Sequence, residues 1–179
     1  MVYVVTALKS EAQAFVDRYR LDKENLGEYK IFRDNNIIVI VSGIGVDKAR
    51  LATQTLINQF DITDEDIYIN IGICGANEQY TIGELIEISK IEYLEQEYSL
   101  NNNTVNKIYC MDEEISEFKY DIVDMESFGF YDAVIHSTAI KRRYIFKVVS
   151  DYFEPLKVTK EATKISIFNK IDDINKIIF

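Results

Sequence analysis

"YDIVDMESFGFYDAV", Tyr120 to Val134, decides how this chain reads. Its first half is a short buried strand. Its second half, from Ser127 to about Thr138, reads as a helix packed on that strand. A strand running straight into a helix is the unit of an α/β fold. At the seam two carboxylates, Asp124 and Glu126, flank Met125, where Gly or Ser would turn the corner at lower cost.

The same alternation extends outward. "VYVVTA", Val2 to Ala7, is a β-branched strand, followed by Ala12, Phe15, Val16 and Tyr19 on one helical face. Ser10 and Gln13 have capping-box spacing, which puts Glu11 in the first helical turn, near the end of the first strand. "GEYKIF" and "NIIVIVSGIG" are strands joined by the turn-forming "RDNN", the second ending at Ser42-Gly43. A helix then runs to about Phe60 with Ala49, Ala52, Leu56 and Phe60 inward, and "DIYINIG", Asp66 to Gly72, is the next strand.

"ELIEISKIEYLEQEY" alternates apolar and polar residues, as a long half-exposed strand or hairpin arm does, and "SLNNNTVN" is loop. "KIYCM" is a short strand and "YIFKVVSD" a buried one. A final helix is predicted over Lys160 to Ile178 with an inner stripe of Ala162, Ile165, Phe168, Ile171 and Ile174. The fold class is therefore α/β: a three-layer sandwich with a central, mostly parallel mixed sheet, an antiparallel excursion in its middle, and helices on both faces. One domain, 1–179, accommodates it.

Composition narrows the function. With Lys+Arg 20 against Asp+Glu 30 the net charge is -10, the wrong sign for neutralising phosphate backbones, so no nucleic-acid partner is expected. The two cysteines, Cys74 and Cys110, lack zinc or redox spacing and read as reduced thiols. No stretch approaches the roughly 18 apolar residues of a membrane span, and the N-terminus has no basic lead-in of a signal peptide, so a cytoplasmic protein is expected, without membrane contact. Neither "SGIG" nor "GICG" completes a dinucleotide fingerprint, and neither a cofactor nor a metal is expected.

Ligands of open α/β sheets bind beyond the carboxyl ends of the strands. Glu11, Glu126 and Asp151 each follow such an end. Singly they have ordinary readings, as acids in a first helical turn or a turn residue. Together they put three carboxylates from distant parts of the chain on one edge. The glycine pairs of "SGIG" (Ser42 to Gly45) and "GICG" (Gly72 to Gly75) are read as strand ends that admit close backbone approach.

Five segments in this order resemble the superfamily of purine nucleoside phosphorylases and methylthioadenosine/S-adenosylhomocysteine nucleosidases. "ALKSEAQAF" is similar to the nucleosidase opening A-M-x-x-E, "VSGIGVDKA" to SGIGxxxA, and "INIGICGANEQYTIGELIEI" to NxGxxGG…xxGDxVxx. "VDMESFGF" is similar to VEMEAAAxA and "VVSDYFE" to xISDxAD. The resemblance implies catalytic roles for Asp151, which would protonate the purine, and Glu11, which would position the attacking water. It implies that Met125 and Glu126 hold the ribose, with Ser150, Gly72, Ile73 and Lys147 as further substrate-binding positions.

Cleaving an N-glycosidic bond leaves a purine anion and a ribosyl group of oxocarbenium character, which an acid at the base and a negative charge at the sugar both favour. Phosphorylases resemble R-x-G-[ST]-x-G where this chain reads "NIGICG", with Asn70 in place of their phosphate-binding arginine, so hydrolysis of a purine nucleoside or 5′-thio-nucleoside is favoured over phosphorolysis. Three positions depart from the pattern. Ile73 replaces a serine or threonine, Lys147 an arginine, and Asp124 the first glutamate of VEME. The segment from about Glu92 to Tyr120 is shorter than in relatives. A phosphorylase, and a degenerate member that binds a nucleoside without turnover, are the alternatives. The family implies a homodimer. Tyr152, Phe153 and His136 are read as structural, the first two also as candidates for the base pocket.

Overall fold

The β-branched runs form the centre of one sheet. In a computed structural model, which describes residues 1–100, 104–116 and 119–179, β1 (Val2–Thr6) lies between β4 (Ile37–Val41) and β5 (Ile67–Ala76), parallel to both. On its other side β5 pairs in parallel with β11 (Arg142–Asp151). Antiparallel pairs flank this centre. β2 (Asp22–Leu26) and β3 (Tyr29–Arg33) meander onto β4, and β6 (Leu85–Ile88) runs against β11. β7 (Lys90–Tyr93) and β8 (Gln96–Ser99) form a hairpin, β9 (Lys107–Cys110) lies parallel to β7, and β10 (Ile122–Asp124) joins β9 to the end of β5.

Strand alternation sends successive side chains to opposite faces. Tyr144, Phe146 and Val148 meet α1 (Lys9–Tyr19), α4 (Lys160–Phe168) and α5 (Ile171–Ile178) in one core. Ile145 and Val149 meet α2 (Val46–Gln59) and α3 (Ser127–Ile135) in the other. This is the three-layer α/β sandwich expected from the sequence. α2 and α3 touch backbone to backbone: a Cβ on Gly129 would lie 2.0 Å from the Val46 carbonyl oxygen, so only glycine fits.

Several boundaries differ from the expectation. α1 starts at Lys9 rather than at a Ser10 cap, because Glu11 reaches back to the amides of Ala7 and Leu8 and replaces a serine cap. "GICG" does not end its strand: β5 continues to Ala76, held by pairing of Gly72 to Gly75 with β11. "ELIEISKIEYLEQEY" is three strands, with a turn at Leu94 and Glu95, both at positive φ. β2 has no counterpart in the sequence reading because its residues are charged, as edge strands often are. The expected last helix is two, broken at Asn169 and Lys170, and its inner stripe is Thr163, Ile167, Ile171, Ile174 and Ile178. Ile165 and Phe168 face out. Part of the "SLNNNTVN" loop, residues 101–103, lies outside the described residues.

Candidate active site

A cavity of about 270 Å³ opens at the carboxyl ends of β1, β5, β10 and β11. Glu11, Ile73, Met125, Glu126, Ser150 and Asp151 all line it, so most residues singled out in the sequence meet there. Gly72 and Lys147 do not line it. They lie beneath its floor, where a Cβ on Gly72 would sit 2.9 Å from Glu11 Oε1 and 3.6 Å from Lys147 Nζ. Glycine at that position leaves room for both charged groups.

Each acid is held by its local backbone. Glu11, 1% exposed at the start of α1, accepts the amides of Ala7 (2.9 Å) and Leu8 (2.8 Å) on Oε2 and that of Ile73 (3.0 Å) on Oε1. It thereby ties the end of β1 to β5. Glu126 occupies the N-cap position of α3 but turns its side chain away from the helix, and its Oε1 accepts the amide of Gly45, in the positive-φ turn that opens α2. Asp151 Oδ1 accepts the Glu154 amide (2.7 Å). The Ser150 hydroxyl lies 2.6 Å from Asp151 Oδ2 and 3.0 Å from the Cys74 carbonyl, and its single proton can serve either.

Burial sets the charge states. It pushes the Glu11 carboxyl above its ordinary range, opposed by the three amides and by Lys147. Burial first, and the Asp124 charge second, push Glu126 up to about 7. Burial would lower the Lys147 ammonium, but the negative charges of Asp124 and Glu126 outweigh it and hold that group above the usual lysine range. Burial also raises the Cys74 thiol, so this lining residue is no thiolate nucleophile.

Sequence reasoning assigns no role to Asp124, and here the structure adds a partner. Asp124 Oδ2 lies 2.7 Å from Lys147 Nζ, and both side chains are fully buried. Asp124 also caps α3, accepting the Ser127 amide (2.9 Å) on Oδ2 and the Ser127 hydroxyl (2.7 Å) on Oδ1. A signal was present: a lone lysine within the apolar run "YIFKVVSD" requires a buried acid opposite it.

The sequence reading also misses Met111, Glu113, Glu114 and Ile115, which line the cavity after β9. The strand-end rule that finds the three acids would find these too if applied to "KIYCM". Tyr152 and Phe153 are not on the lining: Tyr152 donates to the Tyr80 carbonyl and Phe153 is buried, while Pro155 and Val158 take that side of the cavity. His136 ends α3 with its ring mostly exposed. Among the described residues no aromatic, lysine, arginine or histidine side chain lines the cavity, no group of His, Cys, Asp or Glu is arranged to hold a metal ion, and no helix is long and apolar enough to cross a membrane.

By sequence, no protein-family model and no curated protein matches the chain. Solved structures do. The 5′-methylthioadenosine/S-adenosylhomocysteine nucleosidase of Helicobacter pylori, bound to butyl-thio-DADMe-Immucillin-A, is similar at a TM-score of 0.77 and 14% identity over 98% of this chain and 96% of that one. The 5′-methylthioadenosine nucleosidase of Arabidopsis thaliana is similar at 0.75 and 17% over 97% and 95%. The futalosine hydrolase of Helicobacter pylori is similar at 0.74 and 14% over 96% and 97%. The chain shares the fold of these proteins nearly end to end.

Proposed function

We propose that the protein hydrolyses the N-glycosidic bond of a purine nucleoside or 5′-thio-nucleoside. The observation that carries this reading is the convergence of Glu11, Glu126 and Asp151, from three separate strand ends, on one cavity. The three neighbours of the same fold are two nucleosidases and a hydrolase by name, which supports the reaction class.

Asp151 delivers a proton to the departing base. The Ser150 hydroxyl makes this possible at Oδ2: when that oxygen carries the proton, Ser150 turns its own hydrogen to the Cys74 carbonyl. Glu126 and Met125 hold the ribose, and the Glu126 carboxylate stabilises positive charge developing on the sugar. Glu11, its two oxygens fixed by three amides, orients the attacking water and accepts its proton.

Water rather than phosphate is the nucleophile in this reading. The lining carries Glu11, Glu113, Glu114, Asp124, Glu126 and Asp151 and, among the described residues, no cationic side chain, so a phosphate dianion would meet repulsion with no cationic partner. A homodimer belongs to the same proposal; the exposed Ile44 at the cavity mouth and Leu51 on α2 support it, and sedimentation tests it.

The test is chromatographic detection of free base from methylthioadenosine and a panel of purine nucleosides, with and without phosphate. Release without phosphate is expected, slowed about 10²–10⁴-fold in Asp151→Asn. Phosphate-dependent release with a sugar phosphate as product would make it a phosphorylase. Ligand binding without release, unaffected by Asp151→Asn, would make it a binding protein.

A further inference from the structure

We propose that Lys147 and Asp124 are a positioning pair for Glu126: Lys147 touches no substrate and acts through Asp124 to hold the ribose-binding carboxylate in place and in its working charge state. The inference rests on the reading of Glu126 given above.

Geometry carries it. Lys147 is fully buried, absent from the cavity lining, and 2.7 Å from Asp124 Oδ2. Asp124 in turn accepts the backbone amides of Glu126 (3.3 Å) and Ser127 (2.9 Å), which fixes where α3 begins and where the Glu126 side chain starts. The far end of that side chain is held by Gly45 (3.0 Å). Glu126 is thus clamped at its backbone by the pair and at its tip by α2.

Charge follows the same geometry. The groups facing Glu126 are Asp124 from β10, Lys147 from β11, Glu11 from α1 and the Gly45 amide from α2. Three buried carboxylates thus share one ammonium. Lys147 favours an ionised Glu126 and Asp124 opposes it, so the two members of the pair pull its titration in opposite directions. A short acid and an unforked base meet here, and the ion pair closes at 2.7 Å.

The experiment is a set of three variants, Lys147→Met, Asp124→Asn and the double, read by the pH midpoint of Glu126. Carbon-13 NMR of glutamate-labelled protein, with Glu126→Gln for assignment, gives that midpoint whether or not the protein turns anything over. The pH profile of nucleoside binding gives it again. Lys147→Met should raise the midpoint by about one pH unit or more and Asp124→Asn should lower it by a similar amount, as expected for adjacent charges in a partly dry interior. The double variant should return close to the starting value, because asparagine still caps α3 and no charge is left unpaired.

A pair whose charges do not reach Glu126 would not give shifts of opposite sign. Midpoints moving in the same direction, or not at all, in the folded variants would overturn the inference. Should Lys147→Met fail to fold, Asp124→Asn and the double decide the matter. Shifts as expected in a protein that releases no base would leave this inference standing and remove the hydrolase reading alone.

Discussion

The two faces of the sheet are built from the same strands and differ in what they bury. On β5 and β11, Ile67, Ile69, Ile71, Phe146 and Val148 point to α1, α4 and α5, into a core that is aliphatic and aromatic throughout. Alternate residues of those strands include Tyr68, Asn70 and Lys147, all buried, and the hydroxyl of Tyr68 and the side-chain oxygen of Asn70 have no hydrogen-bond partner among the described residues. One face supplies apolar burial. The other gives up some of it, and at Lys147 this brings a charged group beneath the cavity, a trade that natural proteins make at functional sites.

The sharpest way to break this contrast is to remove a large side chain from the apolar face. Phe146→Ala should lower unfolding free energy in urea by about 3–5 kcal/mol, through lost burial and the cavity left behind. Nucleoside affinity of the fraction that stays folded should be unchanged. Equal damage to affinity would mean that the two faces are not separable.

The polar face predicts a pH signature instead. The folded-state carboxyl of Glu126 is raised from an ordinary 4.5 to about 7, so the unfolded chain loses its proton first as pH rises. The contribution of this group is fully present below pH about 4.5 and is lost progressively up to about 7, a change of roughly 3 kcal/mol at about 1.4 kcal/mol per pH unit. Glu126→Gln should flatten stability across that window in denaturant titrations. Retention of the full slope would show that another group carries it, with Glu11, raised in the same direction, the first to test.

The smallest effect belongs outside both faces. Ile165→Ser, on the exposed side of α4, should change stability by less than about 0.5 kcal/mol in the same titrations. A larger loss would mean that this side chain is covered in solution.

What can be read from the sequence follows the same division. β-branched runs and helical stripes depend on local pattern, and they predict the layers, the parallel centre and the three strand-end acids. The failures come where a local signal competes with a distant one. The last helix reads as one continuous stripe because its apolar residues are numerous, yet the break at Asn169 changes which of them face in. "GICG" reads as a strand end because glycines commonly stop strands, whereas Gly72 makes room for the Glu11 carboxylate, 2.9 Å from an added Cβ, and Gly75 sits close against Val123, whose Cγ2 would lie 3.2 Å from one. The lone Lys147 in its apolar run calls for a buried acid, but which acid it meets is not local: Asp124 lies on another strand.

The bond from Gly45 to Glu126 gives the site a property beyond placement. Gly45 follows Ile44, the residue exposed at the cavity mouth, while Glu126 sits at its floor, 81 positions away in sequence. That bond takes one of the roughly four acceptor sites of the carboxylate, so the rim is anchored while the rest of the group still faces the cavity. One carboxylate therefore fastens the loop after β4 to the start of α3, and a change at either end of that bond is felt at the other.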